Sequence, residues 1–339
     1  MTDYLSSYSA SWRVRKMNID AWLPEEEVPG IQKVAVKYDS ADDAPIMQSG
    51  DMETSGLIEE GYYRIEMLPD GGSLVNVATL LFTPDGSEFD YEAWGGSATG
   101  VSVLAGASET KFKQGAYAPK GSDAAAYCAA LLRSCIPAPV VIENSFVLGD
   151  HVVHDLGSSY LDGIWDVLNA GGLCMQIDGS GTVFIKRIPD KPDLVISAEN
   201  EKLLMPAIKQ KHPLDDVPNV LIVYDEGQEA TATNNDPASP TSIHARGRRI
   251  EETEDSPTRK EGETLQQYAN RRLKELSEIY ETYDVEREYW PGIYPYSLVR
   301  ANMPRMGITG DLRVMSQTLT CSASIQVGET WGKKHDLAL

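Results

Sequence analysis

Two histidines and two glycine-rich segments are the residues whose types and spacing come nearest to a chemical motif. His151 and His154 form an H-x-x-H pair, but side chains three apart on a strand point to opposite faces, and no third metal ligand follows at a regular spacing. Residues 95–100 (GGSATG) lack the Lys-Ser/Thr of a phosphate-binding loop, so a loop or β-bulge is predicted. Residues 178–181 (DGSG) resemble a calcium loop without its closing glutamate, and a hairpin turn is the better interpretation.

Hydrolytic chemistry has no recognisable motif in this sequence. The G-x-S-x-G motif is absent, and none of the five histidines lies beside a recognisable nucleophile. The 51 acidic residues leave an accidental carboxylate pair open. We therefore predict no catalytic, cofactor-binding or metal-binding residues and a protein that is not an enzyme.

The charge balance restricts the class of partner. There are 30 Lys and Arg residues against 51 Asp and Glu, which gives a formal net charge of −21. Such a surface repels nucleic acids and anionic membranes, although it does not exclude a chain that DNA passes without binding. The N-terminus has no apolar signal segment, and no run of 18 apolar residues occurs, so we expect neither signal-peptide secretion nor a membrane span. We predict that the four cysteines are reduced.

A helix followed by a β-hairpin, within residues 157–189, has the clearest local pattern. Ser159 is placed to cap the helix, with Asp162 three residues later. Gly171 and Gly172 end the helix, and two alternating strands follow around the DGSG turn. The helix carries apolar residues at i, i+3, i+4 and i+7, which predicts one buried face: Leu161, Ile164, Trp165 and Leu168.

By composition and hydrophobic periodicity, the whole chain divides into a β region, an α+β region and a second β region. We predict a first β domain in residues 1–115, an α+β module with two helices in 116–198, and a second β domain in 199–332 with a long helix near 264–281. Residues 333–339 are predicted to be a loose tail. Finer predictions are a helix from Asp123 capped by Ser122, turns at 84–86 and 306–310, adjacent strands at 312–316 and 318–327, and a mobile loop at 228–242.

Several segments in this order resemble one known family. They are SVLAGASETKFKQGAYAPKGSDAAAYCAALLRS, the helix-Gly-Gly-hairpin unit, DDVPNVLIVYDEG, LQQYANRRLKEL and MGITGDLRVMSQTLTCS. Together they resemble the baseplate hub proteins of long-tailed bacteriophages, the late control protein D-like family, which is related to the hub portion of type VI secretion spikes. The resemblance spans nearly the whole chain, the first thirty residues least, and it consists of patterns of elements rather than catalytic residues.

The resemblance implies a fold, an assembly and partners. The fold would be α+β but mainly β, with two tail-tube-like β-barrel or sandwich domains flanking an α+β module. Three chains would form a homotrimeric ring that adapts the sixfold tail tube to a threefold tip and lets DNA pass without specific binding. The implied partners are a tail tube or distal tail ring, a tape measure protein, and a tail spike or central fibre, without cofactors or a membrane anchor. The implied location is the virion tail tip, after assembly in the host cytoplasm.

Two other functions stay open at the level of sequence. A receptor- or carbohydrate-binding tail module is favoured by aromatic residues, which cluster only at residues 288–296 (EYWPGIYPY). That cluster could equally be a contact between protomers. A tail-associated peptidoglycan hydrolase would need a carboxylate pair or a metal site.

Overall fold

An antiparallel sheet that draws strands from both ends of the chain dominates the fold. The structure is a computed structural model that describes residues 9–39, 47–90, 93–197, 204, 208–212, 214 and 217–335. The predicted mainly β fold is confirmed. Within the described residues the main sheet is an open path of strands rather than two closed barrels.

The first seven strands form one side of this sheet. They are β1 (Ala10–Asn18), β2 (Leu23–Glu27), β3 (Ile31–Asp39), β4 (Met47–Thr54), β5 (Gly61–Pro69), β6 (Val75–Asp90) and β7 (Ala93–Val101). Their order in the sheet is β3-β4-β7-β6-β5-β1-β2, and every pair is antiparallel. Alternate residues of these strands fill a shared core that includes Val36, Met52, Leu80 and Phe82.

The middle of the chain folds into helices and short strands, which we call the α+β module. Its elements are α1 (Ala105–Glu109), β8 (Tyr117–Ala118), α2 (Ala124–Cys135), β9 (Val140–Ile142), β10 (Val152–Val153), α3 (Tyr160–Ala170), β11 (Leu173–Ile177) and β12 (Val183–Arg187). The predicted capping box is present, because Ser159 Oγ accepts from the Asp162 amide and the Asp162 carboxylate accepts from the Ser159 amide. The predicted hairpin is also confirmed, with β11 pairing β12. The cap of α2 is Asp123, however, and not Ser122.

The remainder of the chain, from β13 onward, adds strands to the main sheet and a small subdomain. The elements are β13 (Leu194–Ile196), β14 (Lys209–Lys211), β15 (Val220–Asp225), β16 (Gln228–Thr233), α4 (Ile243–Arg246), β17 (Glu251–Asp255), α5 (Leu265–Ser277), β18 (Ile279–Glu288), β19 (Leu298–Met303), a 3-10 turn (Pro304–Met306), β20 (Ile308–Cys321) and β21 (Ile325–Lys334). The strands β16-β15-β17 form a separate sheet that packs on α5. The order β14-β18-β21-β20 joins the first side of the main sheet through β20 and β3.

The predicted mobile loop at 228–242 is wrong for a physical reason. Its first part is β16, whose small side chains Ala230 and Ala232 pack in the same core as Tyr268 of α5. Beyond the strand, the buried Asn234 side chain donates to Ser239 Oγ and Thr241 Oγ1, both at 3.0 Å. A segment of small and polar residues therefore becomes ordered because its hydrogen bonds are satisfied internally.

Three strand predictions are also corrected. Residues 84–86 form no turn, because β6 continues through them with a β-bulge between Pro84 and Gly86. Residues 95–100 lie in β7 rather than in a loop. Glycine is required at Gly100 because a Cβ there would lie 2.7 Å from the Phe82 ring. Residues 312–316 and 318–321 belong to one strand, β20, which pairs with β21.

The long helix begins where predicted and ends earlier. Thr264 caps α5 in a capping box with Gln267, and the helix ends at Ser277 because β18 begins at Ile279. The turn predicted at 306–310 is present, with Gly307 in the left-handed conformation at φ 72° after the 3-10 turn. The domain boundaries after residues 115 and 198 stay a prediction. The loose tail predicted at 333–339 is wrong at its start, because β21 continues to Lys334 and the His335 amide donates to Glu278 O. Residues 336–339 of the predicted tail lie outside the described residues.

Candidate assembly surface

The two histidines of the H-x-x-H pair serve different structural roles. His154 is buried, its ring stacks on Phe112 with centroids 4.0 Å apart, and its Nε2 shares a hydrogen bond of 2.9 Å with Tyr127 Oη. His151 lies at the surface, where its Nδ1 accepts from the Lys120 amide. Among the described residues, no group of three or more His, Cys, Asp and Glu side chains is placed to hold a metal ion.

Burial lowers the pKa of His154, and this predicts a pH dependence of stability. The unfolded chain takes up a proton near pH ~6.5 while the folded chain does not, so the free energy of unfolding falls as the pH drops below that value. We expect His154→Gln to flatten this fall between about pH 7 and about pH 5 in urea unfolding. The surface variant His151→Gln is the control and should keep the slope; an unchanged slope in His154→Gln would contradict the assignment.

The DGSG turn is a docking point between the α+β module and the main sheet. Ser180 O accepts from Trp22 Nε1 at 2.9 Å and from the Arg64 guanidinium at 2.8 Å. Gly179 O accepts from Thr79 Oγ1 at 2.9 Å, and the Gly179 amide donates to Tyr294 Oη at 3.0 Å. The predicted hairpin turn is thus confirmed. It holds together three segments that lie far apart in the sequence.

Gly179 is the residue of this turn at which a larger side chain is least tolerated. A Cβ at this position would lie 1.9 Å from the backbone oxygen of Asn76, so the turn and the sheet must separate to accept it. We expect Gly179→Ala to lower the free energy of unfolding by about 1–3 kcal/mol, the usual cost of overpacking. Gly328→Ala is the matched control, because a Cβ there meets no atom within 4 Å. Equal urea midpoints for the two variants would show that the turn is loosely seated.

The aromatic side chains of segment 288–296 are buried in the protein interior. Its large side chains Tyr289, Trp290, Tyr294 and Tyr296 are all buried. Gln176 of β11 donates to Pro295 O at 2.9 Å, which joins this segment to the α+β module. The segment is therefore an intramolecular contact, and neither of the two roles considered from the sequence, recognition or protomer contact, fits it.

A buried ion pair lies on the main sheet close to this segment. Arg287 of β18 and Glu329 of β21 are both fully buried and make two hydrogen bonds, of 2.8 and 2.6 Å. Glu329 also accepts from Gln317 Nε2 at 2.7 Å and from Trp331 Nε1 at 2.8 Å. The Arg287 guanidinium lies over the Trp290 ring, 4.5 Å from its centroid. Because the ion pair is buried and the Glu329 carboxylate accepts four hydrogen bonds, this network is a structural brace.

The outer part of strands β6 and β7, residues 86–90 and 93–97, is the feature most suited to a partner, and we call it the tip hairpin. Phe89 and Trp94 face each other across its two strands with ring centroids 5.5 Å apart. They are 55% and 49% exposed, which is unusual for a packed aromatic pair. The sequence analysis missed this feature, although the apolar residues in SEFDYEAW could have indicated it.

None of the helices in the described part of the chain is long and apolar enough to span a membrane. The four cysteines are free thiols, as predicted. Burial raises the pKa of the Cys174 and Cys321 thiols to about 12, so both stay protonated and unreactive at neutral pH.

Comparison with solved structures defines the class to which this fold belongs. No protein-family model and no curated protein sequence matches the chain. A tail protein from Neisseria meningitidis MC58 matches over 96% of this chain and 97% of its own, with a TM-score of 0.69 at 14% identity. The 43 kDa tail protein of prophage MuSo2 from Shewanella oneidensis matches over 95% and 97%, with a TM-score of 0.66 at 12% identity.

A third similar structure is the prophage tail protein gp18 from Listeria monocytogenes EGD-e. It matches over 96% of this chain and 95% of its own, with a TM-score of 0.56 at 13% identity. The chain therefore has the fold of phage tail proteins along nearly its whole length. The resemblance noted from the sequence is confirmed at the level of fold.

Proposed function

We propose that this protein is a structural hub of a phage tail or baseplate, located in the virion, with no reaction of its own. The observation that carries the proposal is the match of the whole chain to the Neisseria tail protein at a TM-score of 0.69. The three similar structures are all of tail proteins. The buried aromatic segment 288–296 removes the main support for a receptor-binding module.

The finer form of the proposal is a homotrimeric ring that adapts a sixfold tail tube to a threefold tip. Its partners would be the tail tube or distal tail ring, the tape measure protein and a tail spike or central fibre. An image reconstruction of tail tips tests this form. We expect three copies around one axis, and six copies or one copy at the tip would contradict it.

The acidic composition fits a DNA conduit. Three chains at −21 each would bring about −63 of formal charge into one ring, a self-repulsion that solubility alone does not require. Lys or Arg on the wall would bind phosphates and retard DNA, whereas acids keep the duplex unbound within a Debye length of about 8 Å.

The conduit has its own test. We expect the mapped lumen to be net negative, and Lys substitutions there to slow genome ejection without impairing assembly. A neutral or basic lumen, with the acids on the outer wall, would overturn the conduit and leave the hub standing.

A further inference from the structure

The main sheet contains the same five-stranded unit twice. In the first repeat, β3, β4, β5, β6 and β7 follow one another in the chain and lie in the sheet order β3-β4-β7-β6-β5. In the second repeat, β14, β18, β19, β20 and β21 follow one another and lie in the order β14-β18-β21-β20-β19. Every neighbouring pair in both repeats is antiparallel. The two repeats therefore share one topology.

A β-bulge gives the residue-by-residue match between the repeats. In β6 the register with β7 shifts between Pro84 and Gly86, and in β20 the register with β21 shifts between Val314 and Ser316. Bulges are specific features of a fold, so one bulge on equivalent strands is a reliable marker. Superposing the bulges places Asp85 on Met315, and every position after them follows by counting.

The chain itself contains one junction between the repeats. The second half of β20, beyond its bulge, pairs antiparallel with β3, from Ser316 opposite Asp39 to Cys321 opposite Val34. The equivalents of these two edges are the second half of β6 and the strand β14. Within the described residues, β6 beyond Phe82 pairs with β7 alone, and β14 pairs with β18 alone. One chain thus satisfies one junction and leaves the edges of the equivalent junction open.

The exposed aromatic pair of the tip hairpin has buried equivalents. Leu319 lies four residues after the bulge position in β20, as Phe89 does in β6, and Val327 and Trp94 lie opposite them. Leu319 and Val327 are 0% and 1% exposed because they pack into the core of the first repeat. Phe89 and Trp94 are about half exposed because the same chain supplies no second repeat on that side. Their exposure is what an open junction requires.

The register of the open junction follows from the closed one. Ala35, Asp51 and Thr99 lie side by side on β3, β4 and β7. Lys211, Thr282 and Gly332 lie side by side at the matching positions of β14, β18 and β21. Ala35 is opposite Thr320, which matches Asp90. The equivalent junction therefore places Lys211 opposite Asp90.

Charge and shape agree with this register. The open edge of β6 carries Asp85, Glu88 and Asp90 without a basic residue, and β14 carries Lys209 and Lys211 without an acidic one. Opposite charges on facing positions of antiparallel strands stabilise the pairing. A cleft of about 250 Å³ beside β14 could receive aromatic side chains. Its lining residues are Ile208, Gln210, Tyr283, Met306 and Ile308.

We propose that β14 of one chain pairs antiparallel with the second half of β6 of a second copy, with Lys211 opposite Asp90 and the Phe89–Trp94 pair covered by the second repeat of the partner. The contact joins two different surfaces, so it repeats head to tail and forms a closed ring when the rotation between successive copies divides a full turn. This inference rests on the proposed hub for the ring size alone: three chains supply six repeats, with three junctions inside chains and three between them.

Cysteine crosslinking of the full chain tests the register. We expect Lys211→Cys/Asp90→Cys to form disulfides between chains under mild oxidation and to give dimer and trimer bands, with no larger species because the ring is closed. Lys211→Cys/Ser87→Cys is the control, since it uses the same two edges out of register and should remain largely uncrosslinked. The parent chain, with its native thiols alone, measures the background.

Charge reversal tests the contact without a covalent bond. We expect Lys211→Glu to weaken self-association several-fold by analytical ultracentrifugation, because like charges then face each other at the register position of Asp90. Adding Asp90→Lys to the same chain should restore association, since the signs of this facing pair are exchanged and not lost. Circular dichroism and thermal melting check that each variant is folded.

The outcomes separate the interface from the hub. A chain that forms a trimer whose association ignores the reversal, and that shows no crosslink in register, overturns this interface and leaves the hub standing. If the parent chain stays monomeric up to high concentration and neither cysteine-pair variant forms a crosslink, both the interface and the hub are overturned. Crosslinks in register that end at a species other than a trimer support the interface and contradict the threefold hub.

Discussion

Replacing Glu329 with glutamine is expected to lower the free energy of unfolding by about 3–5 kcal/mol, because it leaves the Arg287 guanidinium charged and fully buried without its counter-ion. The neutral amide cannot match the two charge-assisted hydrogen bonds of 2.8 and 2.6 Å. It also weakens acceptance from Gln317 and Trp331. The network connects β18, β21 and β20 beside the bulge where β20 changes its partner, so the loss should also loosen the junction with β3.

The charge argument has a matched control in the double variant Arg287→Met/Glu329→Leu. Removing both charges lowers the free energy of unfolding far less than leaving one charge buried without its partner. Replacement of a buried ion pair by a well-packed apolar pair often leaves stability unchanged. We therefore expect the double variant to unfold closer to the parent than either single variant does, in urea at neutral pH. If the effects of Arg287→Met and Glu329→Leu simply add in the double variant, the pair is not coupled and this account of the brace is wrong.

Local patterns in the sequence predicted local structure well. The Ser159 capping box, the Gly171–Gly172 helix end and the DGSG turn all depend on side chains within a few residues of each other, and the structure confirms each of them. The fold of phage tail proteins was also reached from the sequence, by the order of such units. Predictions failed where distant partners decide the outcome, as at Gly100, where glycine makes room for the Phe82 ring.

The candidate interface was beyond reach of the sequence for the same reason. The two repeats share strand order and a bulge. In the second repeat, however, the subdomain of β15–β17 and α5 is inserted between β14 and β18, so the two repeats have different strand spacings in the sequence. The exposed Phe89–Trp94 pair becomes meaningful only when Leu319 and Val327 are seen buried at the equivalent positions. The sequence left recognition and protomer contact open as roles for the aromatics at 288–296, and the structure buries their side chains within one chain instead. Their partners, such as Gln176, lie in a different part of the chain.

Replacing Trp165 with alanine is expected to cost about 3–5 kcal/mol of unfolding free energy, as for other buried tryptophans. The sequence analysis predicts a buried Trp165, and the structure confirms it, with the side chain 7% exposed. Its contacts are less local than the helical stripe suggested. Trp165 packs with Cys174 and with Tyr296, so it joins α3 to the aromatic segment that follows β18.

This position gives Trp165→Ala a second expected effect besides lower stability. Leu161 lies on the same helix with 2% exposure, but it belongs to the core of the α+β module itself. Leu161→Ala should therefore cost a similar amount, about 2–5 kcal/mol, and keep a single unfolding transition. Trp165→Ala removes a contact between the module and the sheet, so its transition should broaden or split when followed by fluorescence and by circular dichroism. Coincident curves for Trp165→Ala, at a midpoint equal to that of the parent, would show that the module and the sheet are held together elsewhere, with the DGSG turn and its bonds to Trp22, Arg64 and Thr79 as the remaining link.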